Sequence, residues 1–67
     1  MEGKIITCIN HGSLVQVLIK TRYGLVSIPM DLRCFRNIIE VKGNINGKEI
    51  KYNEESKNIF FKEDLVK

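Results

Sequence analysis

A chain of 67 residues has room for one hydrophobic core, since a domain this small buries only about 60% of the surface its unfolded form exposes. Its 43% hydrophobic and 28% charged residues suit a single globular domain over residues 1–67 and exclude wholesale disorder. The net charge of +3 favours an anionic partner over a cationic one, and no apolar run approaches the roughly 18 residues of a membrane-spanning helix.

Lys4 to Ile9 reads KIITCI, a β-branched run that predicts a first strand although strict polar-apolar alternation is absent. The turn formers Asn10, His11, Gly12 and Ser13 follow. In Leu14 to Lys20, LVQVLIK, a strand would put Val15, Val17 and Ile19 on one face and Leu14 and Leu18 on the other. A strand apolar on both faces is central or belongs to a tightly coiled barrel. Thr21-Arg22-Tyr23-Gly24 marks the next turn and Leu25 to Ile28 a third strand. Pro29 cannot donate to a ladder, so it ends that strand or lies at an edge.

Asp31 is an N-cap candidate, and Leu32, Phe35, Ile38 and Ile39 recur at helical spacing, which predicts one short helix around 32–39. A helix of about two turns must dock by its apolar stripe. Its other face carries Arg33, Arg36 and Asn37, and Met30 before it is assigned to the core. Asn46-Gly47 is a strong hairpin signal and predicts a strand around 41–45 joined to one over 48–53. Glu54-Glu55-Ser56 forms a further turn before a strand over 58–61, where consecutive Phe60 and Phe61 should point one in and one out. Residues 62–67 are a short helix or a frayed end. This order predicts a mainly β fold: a small five- or six-stranded antiparallel barrel with one helix, OB-like, or alternatively SH3-like.

Catalysis has little to draw on. One histidine gives no metal cluster, Cys8, Cys34 and His11 lack zinc spacing, and neither a P-loop nor a GxGxxG is present. Both cysteines sit in apolar patterns and are expected to be reduced and buried. The sequence thus predicts no enzyme, no metal and no cofactor. The N-terminal Met1-Glu2-Gly3-Lys4 has neither the basic start nor the cleavage site of a signal peptide, so a cytoplasmic protein is expected.

Binding has more. Lys20 to Arg36 holds four basic residues (Lys20, Arg22, Arg33, Arg36) and one acid, whereas Glu49 to Asp64 holds five acids and three basic residues. Any anion-facing surface therefore draws on the middle of the chain. Lys20, Arg22 and Tyr23 fall together on the loop between the second and third strands, where cations would meet phosphates and the ring would stack on a base. The plainer alternative is a solubilised hairpin with Tyr23 on the barrel rim. Arg33 and Arg36, three apart, share a helix face that would hold phosphate, an acidic protein patch, or only solvent.

Residues 3–31, GKIITCINHGSLVQVLIKTRYGLVSIPMD, resemble the first half of an S1-type RNA-binding domain of the OB-fold group. The likeness lies in Gly3, a second glycine at Gly12, a strand with Val15 and Val17, and the Gly24-Leu25-Val26 segment. In that family aromatics flank the second glycine and a histidine follows the third segment, where this chain has His11, Leu14 and Ser27. The resemblance implies an RNA-binding barrel with His11 available to stack. The expected function is a non-catalytic module binding single-stranded RNA or DNA through Lys20, Arg22, Tyr23, Arg33, Arg36 and His11, with no membrane association. The alternative is a protein-interaction module such as an adaptor, a complex subunit or a small phage-type regulator or inhibitor, monomeric or homodimeric.

Overall fold

Two tight hairpins organise the first half of the chain. The computed structural model, which describes residues 1–56 and 58–65, has β1 at Glu2–His11, β2 at Leu14–Thr21 and β3 at Gly24–Asp31. After α1 at Leu32–Lys42 come β4 at Glu49–Asn53, β5 at Asn58–Phe61 and a one-turn α2 at Lys62–Leu65. All five strands pair antiparallel in one open sheet of order β3-β2-β1-β4-β5, with β3 and β5 as its two edges. Since each neighbour reverses direction, β3 and β5 run parallel to one another. The predicted mainly β fold with a helix between the third and fourth strands is therefore present, with five strands.

The broken alternation of the first strand has a structural cause. The β1–β2 register shifts between Ile5 and Thr7, leaving Ile6 as the extra residue of a bulge. Ile5 opposite Ile19 and Cys8 opposite Val17 then share the inner face although they are three apart. The core gathers Ile5, Val15, Val17, Ile19, Ile28, Ile45, Ile50 and Phe61, with Met30, Leu32, Phe35, Ile38 and Ile39 packed partly against it. The sheet curls enough for Val26 and Ile28 of β3 to line the same interior space as Ile50 and Tyr52 of β4. Gly3 lies where β1 presses on β2: a Cβ there would overlap Ile19 Cγ2 and sit 2.9 Å from the Lys20 carbonyl oxygen.

Pro29 stays inside β3, opposite Gln16, in an unbroken ladder. That is possible because β3 is an edge strand, so the missing N–H can face the open side. The helix starts at Leu32 after Asp31, but the Asp31 side chain makes no capping bond. Instead the Leu32 N–H donates to the Ser13 carbonyl at 3.0 Å, tying the helix to the β1–β2 turn.

Three expectations need correction. The helix runs on past 39 to Lys42, because Lys42 continues the Leu32, Phe35, Ile38 and Ile39 stripe; Gly43 ends it at φ 73°, its N–H donating to the Ile39 carbonyl at 2.7 Å. No strand exists over 41–45. Val41 is 82% exposed on the far side of the helix, and Ile45 is buried as a plug in the loop. The Asn46-Gly47 turn does form, with the Lys48 N–H donating to the Ile45 carbonyl, but it feeds β4 alone. The Gly47 N–H and the Lys48 carbonyl are both taken by Ile5 of β1, leaving no place for a second strand there. Finally, Cys34 is exposed on α1 and Cys8 only half-buried, both as free thiols. Cys34 falls off the apolar stripe once the helical phase is fixed.

Candidate nucleic-acid interface

The outer face of the β1-β2-β3 meander follows from the register. Its rows, from one end to the other, are His11, Leu14 and Asp31; Ile9, Gln16 and Pro29; Thr7, Leu18 and Ser27; and Lys4, Lys20 and Leu25. Asp31 is the one carboxylate in those rows. Ser27 hydroxyl donates to the Gln16 side-chain oxygen, so these two polar groups at the centre of the face bond each other. Around them stand exposed Ile9, Leu14 and Leu25, the last 68% exposed.

The six residues expected to bind do not form one cluster. Lys20 lies on the outer face near the β2–β3 turn, and Arg22 and Tyr23 are the two residues of that turn. Tyr23 is 85% exposed, its ring free, while its N–H donates to Thr21 Oγ1 at 3.1 Å and Thr21 Oγ1 donates to the Gly24 carbonyl at 2.9 Å. These two bonds fix the turn and leave the side chains outside. Glu2 and Glu54 border the same cleft as Arg22 and Tyr23. His11 sits at the opposite end, paired with Leu14, and Arg33 and Arg36 lie beyond it on the first turns of α1. There a groove of about 800 Å³ runs between Asn10 at the end of β1, Ser13 of the β1–β2 turn, and Leu32, Arg33, Phe35 and Arg36 of the helix, with Asp31 and Glu40 on its borders. The two groups are separated by the length of β2, seven steps of about 3.3 Å or roughly 23 Å, in a molecule 29 × 27 × 22 Å across.

Sequence reasoning missed Lys4. The β1–β2 register puts it directly across from Lys20, sixteen positions away in the chain, and only a known pairing brings them together.

Ion pairing divides the charges further. Among the described residues the salt bridges are Lys42 with Glu63 and Asp64, Lys48 with Glu63, and Lys62 with Glu2. Lys42 also stands 4.7 Å above the Phe61 ring centre. Hydrogen bonds from Lys42 and Lys48 hold the Glu63 carboxyl down to about 2, and the bond from Lys62 lowers Glu2. None of these bridges involves Lys4, Lys20, Arg22, Arg33 or Arg36.

Cys8 faces inward and His11 outward on the same strand, so they form no nucleophile-base pair, and burial pushes the Cys8 thiol up, away from the reactive thiolate. Among the described residues no group of three or more His, Cys, Asp or Glu side chains is placed to hold a metal ion, and no helix is long and apolar enough to cross a membrane. Comparison with protein-family models, curated proteins and solved structures returns no match to this chain.

Proposed function

We propose that this chain is a non-catalytic, cytoplasmic binding module with an OB-like barrel, and that it binds single-stranded nucleic acid on the outer face of β1-β2-β3. The OB-like reading is supported by the strand order β3-β2-β1-β4-β5, the helix between β3 and β4, and the parallel direction of the two edge strands, whose pairing would close the barrel. His11, Leu14 and Ser27, the positions matched to the aromatics and histidine of S1-type domains, share that outer face. The two free thiols suit a reducing compartment.

One observation carries the functional reading. The salt bridges of the described residues lie on the β4-β5-α2 side, and Lys4, Lys20, Arg22, Arg33 and Arg36 take part in none of them, although Glu49 stands opposite Lys4. Exposed cations on an acid-poor face attract a polyanion and release its counterions. In this reading Lys20, Arg22, Arg33 and Arg36 contact phosphates and Tyr23 stacks on a base, with His11 as a second platform. Titration of labelled oligothymidylate and oligouridylate at low and rising salt tests it. Binding that weakens linearly in log affinity against log salt is expected, and absence of binding at the lowest salt overturns it, because the electrostatic contribution is largest there.

A second reading, docking of another protein on the same face, is favoured by exposed Ile9, Leu14 and Leu25, which offer aliphatic contact area and no stacking planes. Substituting Leu14 and Leu25 by Ser separates the two. Nucleic-acid affinity held by phosphate contacts should change little, whereas an apolar protein interface would be lost.

A further inference from the structure

Resting on the nucleic-acid reading, we infer that a strand is held at two separate points, the Lys4-Lys20-Arg22 end of the meander and the Arg33-Arg36 groove, so that the protein selects strands long enough to bridge them.

The distribution of donors along the outer face leads there. At one end Lys4 and Lys20 stand opposite each other on neighbouring strands, with Glu49 of β4 on the other side of Lys4, and Arg22 follows in the adjoining turn, so Lys20 and Arg22 supply the net positive charge there. At the other end Arg33 and Arg36 line the groove with Asn10 and Ser13. Between them the rows hold Leu18, Ile9 and Pro29, together with a Ser27–Gln16 pair whose hydrogen-bonding capacity is partly used internally. Phosphates crossing this middle stretch meet no cation. Asp31 belongs both to the last row of the face and to the groove, so the two surfaces are continuous through it.

Geometry then sets a length. Stacked bases advance about 3.4 Å per residue along one strand, so roughly 23 Å corresponds to about seven nucleotides, and fewer if the strand is extended. An oligonucleotide of about four nucleotides occupies either end alone. One of about ten engages both, and the second contact is then intramolecular, which raises affinity by at least about tenfold. The carboxylate of Asp31 opposes the strand where it turns into the groove.

The test is a length series of oligothymidylates of about four to about twelve nucleotides, titrated at several salt concentrations against the whole chain, two double variants and one single variant. The expected result is a step in affinity between about four and about eight nucleotides, with two short oligomers but one long oligomer bound per chain. For the long oligomer, Arg33→Ala with Arg36→Ala should remove the step and lower the salt slope by about 1.4, at about 0.7 for each phosphate no longer neutralised. Arg33→Lys with Arg36→Lys should keep both. Asp31→Asn should tighten the long oligomer and leave the short one binding at the meander end unchanged. The variants are all at exposed positions and should retain the fold, which circular dichroism checks. Binding without a length step, or a slope unmoved by removal of the two arginines, overturns the two-point inference while leaving nucleic-acid binding intact. Absence of binding at any length removes the functional reading itself.

Discussion

The β1-β2-β3 meander and the β4-β5-α2 part of the molecule carry charge in opposite ways. Around α2, Glu63 and Asp64 are bonded to Lys42, Glu63 also to Lys48, and Lys62 to Glu2, at 2.8 Å for the three bridges to Lys42 and Lys48. The charges there hold chain to chain, joining the end of α1, the loop before β4 and the start of β1. On the meander, Lys4 and Lys20 face each other across two strands beside exposed Leu25, and among the described residues neither makes a salt bridge, although Glu49 of β4 stands opposite Lys4 on its other side. Like charges directly opposite on a sheet are mildly unfavourable.

If the two faces differ as described, their substitutions should differ in kind, starting with the largest effect on stability. Ile50 of β4 is fully buried, and Ile50→Ala should cost about 2–5 kcal/mol through reduced burial and a cavity. A domain of this size is expected to have only about 3–10 kcal/mol in all, so urea unfolding should show a largely or wholly unfolded variant. Gly3→Ala comes next, at about 1–3 kcal/mol, because the added Cβ meets Ile19 and the rigid Lys20 carbonyl. The same measurement checks it, and an unchanged midpoint would mean that β1 and β2 separate easily at that crossing.

Glu63→Gln should act through pH. The carboxyl is depressed to about 2 in the folded chain from its ordinary value of 4.5, so the stabilisation it gives is complete above about 4.5 and is lost as the pH falls toward 2. Thermal unfolding from neutral pH down to pH ~2 should therefore show the variant losing less stability on acidification than the parent. Parallel curves would remove the contrast drawn between the two regions. The smallest effects on stability belong to the meander's outer face. Leu25→Ser and Lys20→Gln should stay within about 0.5 kcal/mol, yet Lys20→Gln should reduce the salt slope of oligonucleotide binding by about 0.7. A large drop in stability from Leu25→Ser would show that this face is packed rather than offered.

Much of this architecture is written locally. Val15, Val17 and Ile19 declare the inner face of β2 by their spacing of two, and they are among the most buried residues. Gly12 and the Thr21–Gly24 segment mark the hairpin turns, and both turns form where their residues indicate. The stripe from Leu32 to Ile39 declares a helix and its docked side. Tyr23 and the arginines were legible as exposed groups from the polar company they keep. The misreadings arose where a local signal was genuine but its context was not local. Asn46-Gly47 makes its turn, yet whether a turn joins two strands depends on which backbone groups are free to receive the second one, and Ile5 of β1 already bonds the Gly47 N–H and the Lys48 carbonyl.

Periodicity and turn chemistry act over a few neighbouring residues, and they suffice for the inner face of β2, the two hairpin turns and the docked side of α1. Tertiary structure alone decided how the binding candidates are distributed. Lys4 joined Lys20 through strand register, the Ile6 bulge turned Cys8 inward and His11 outward, and the length of β2 set the Arg22 turn apart from the start of α1 that carries Arg33. Distances of that kind belong to pairings between residues remote in the chain, and no local pattern encodes them.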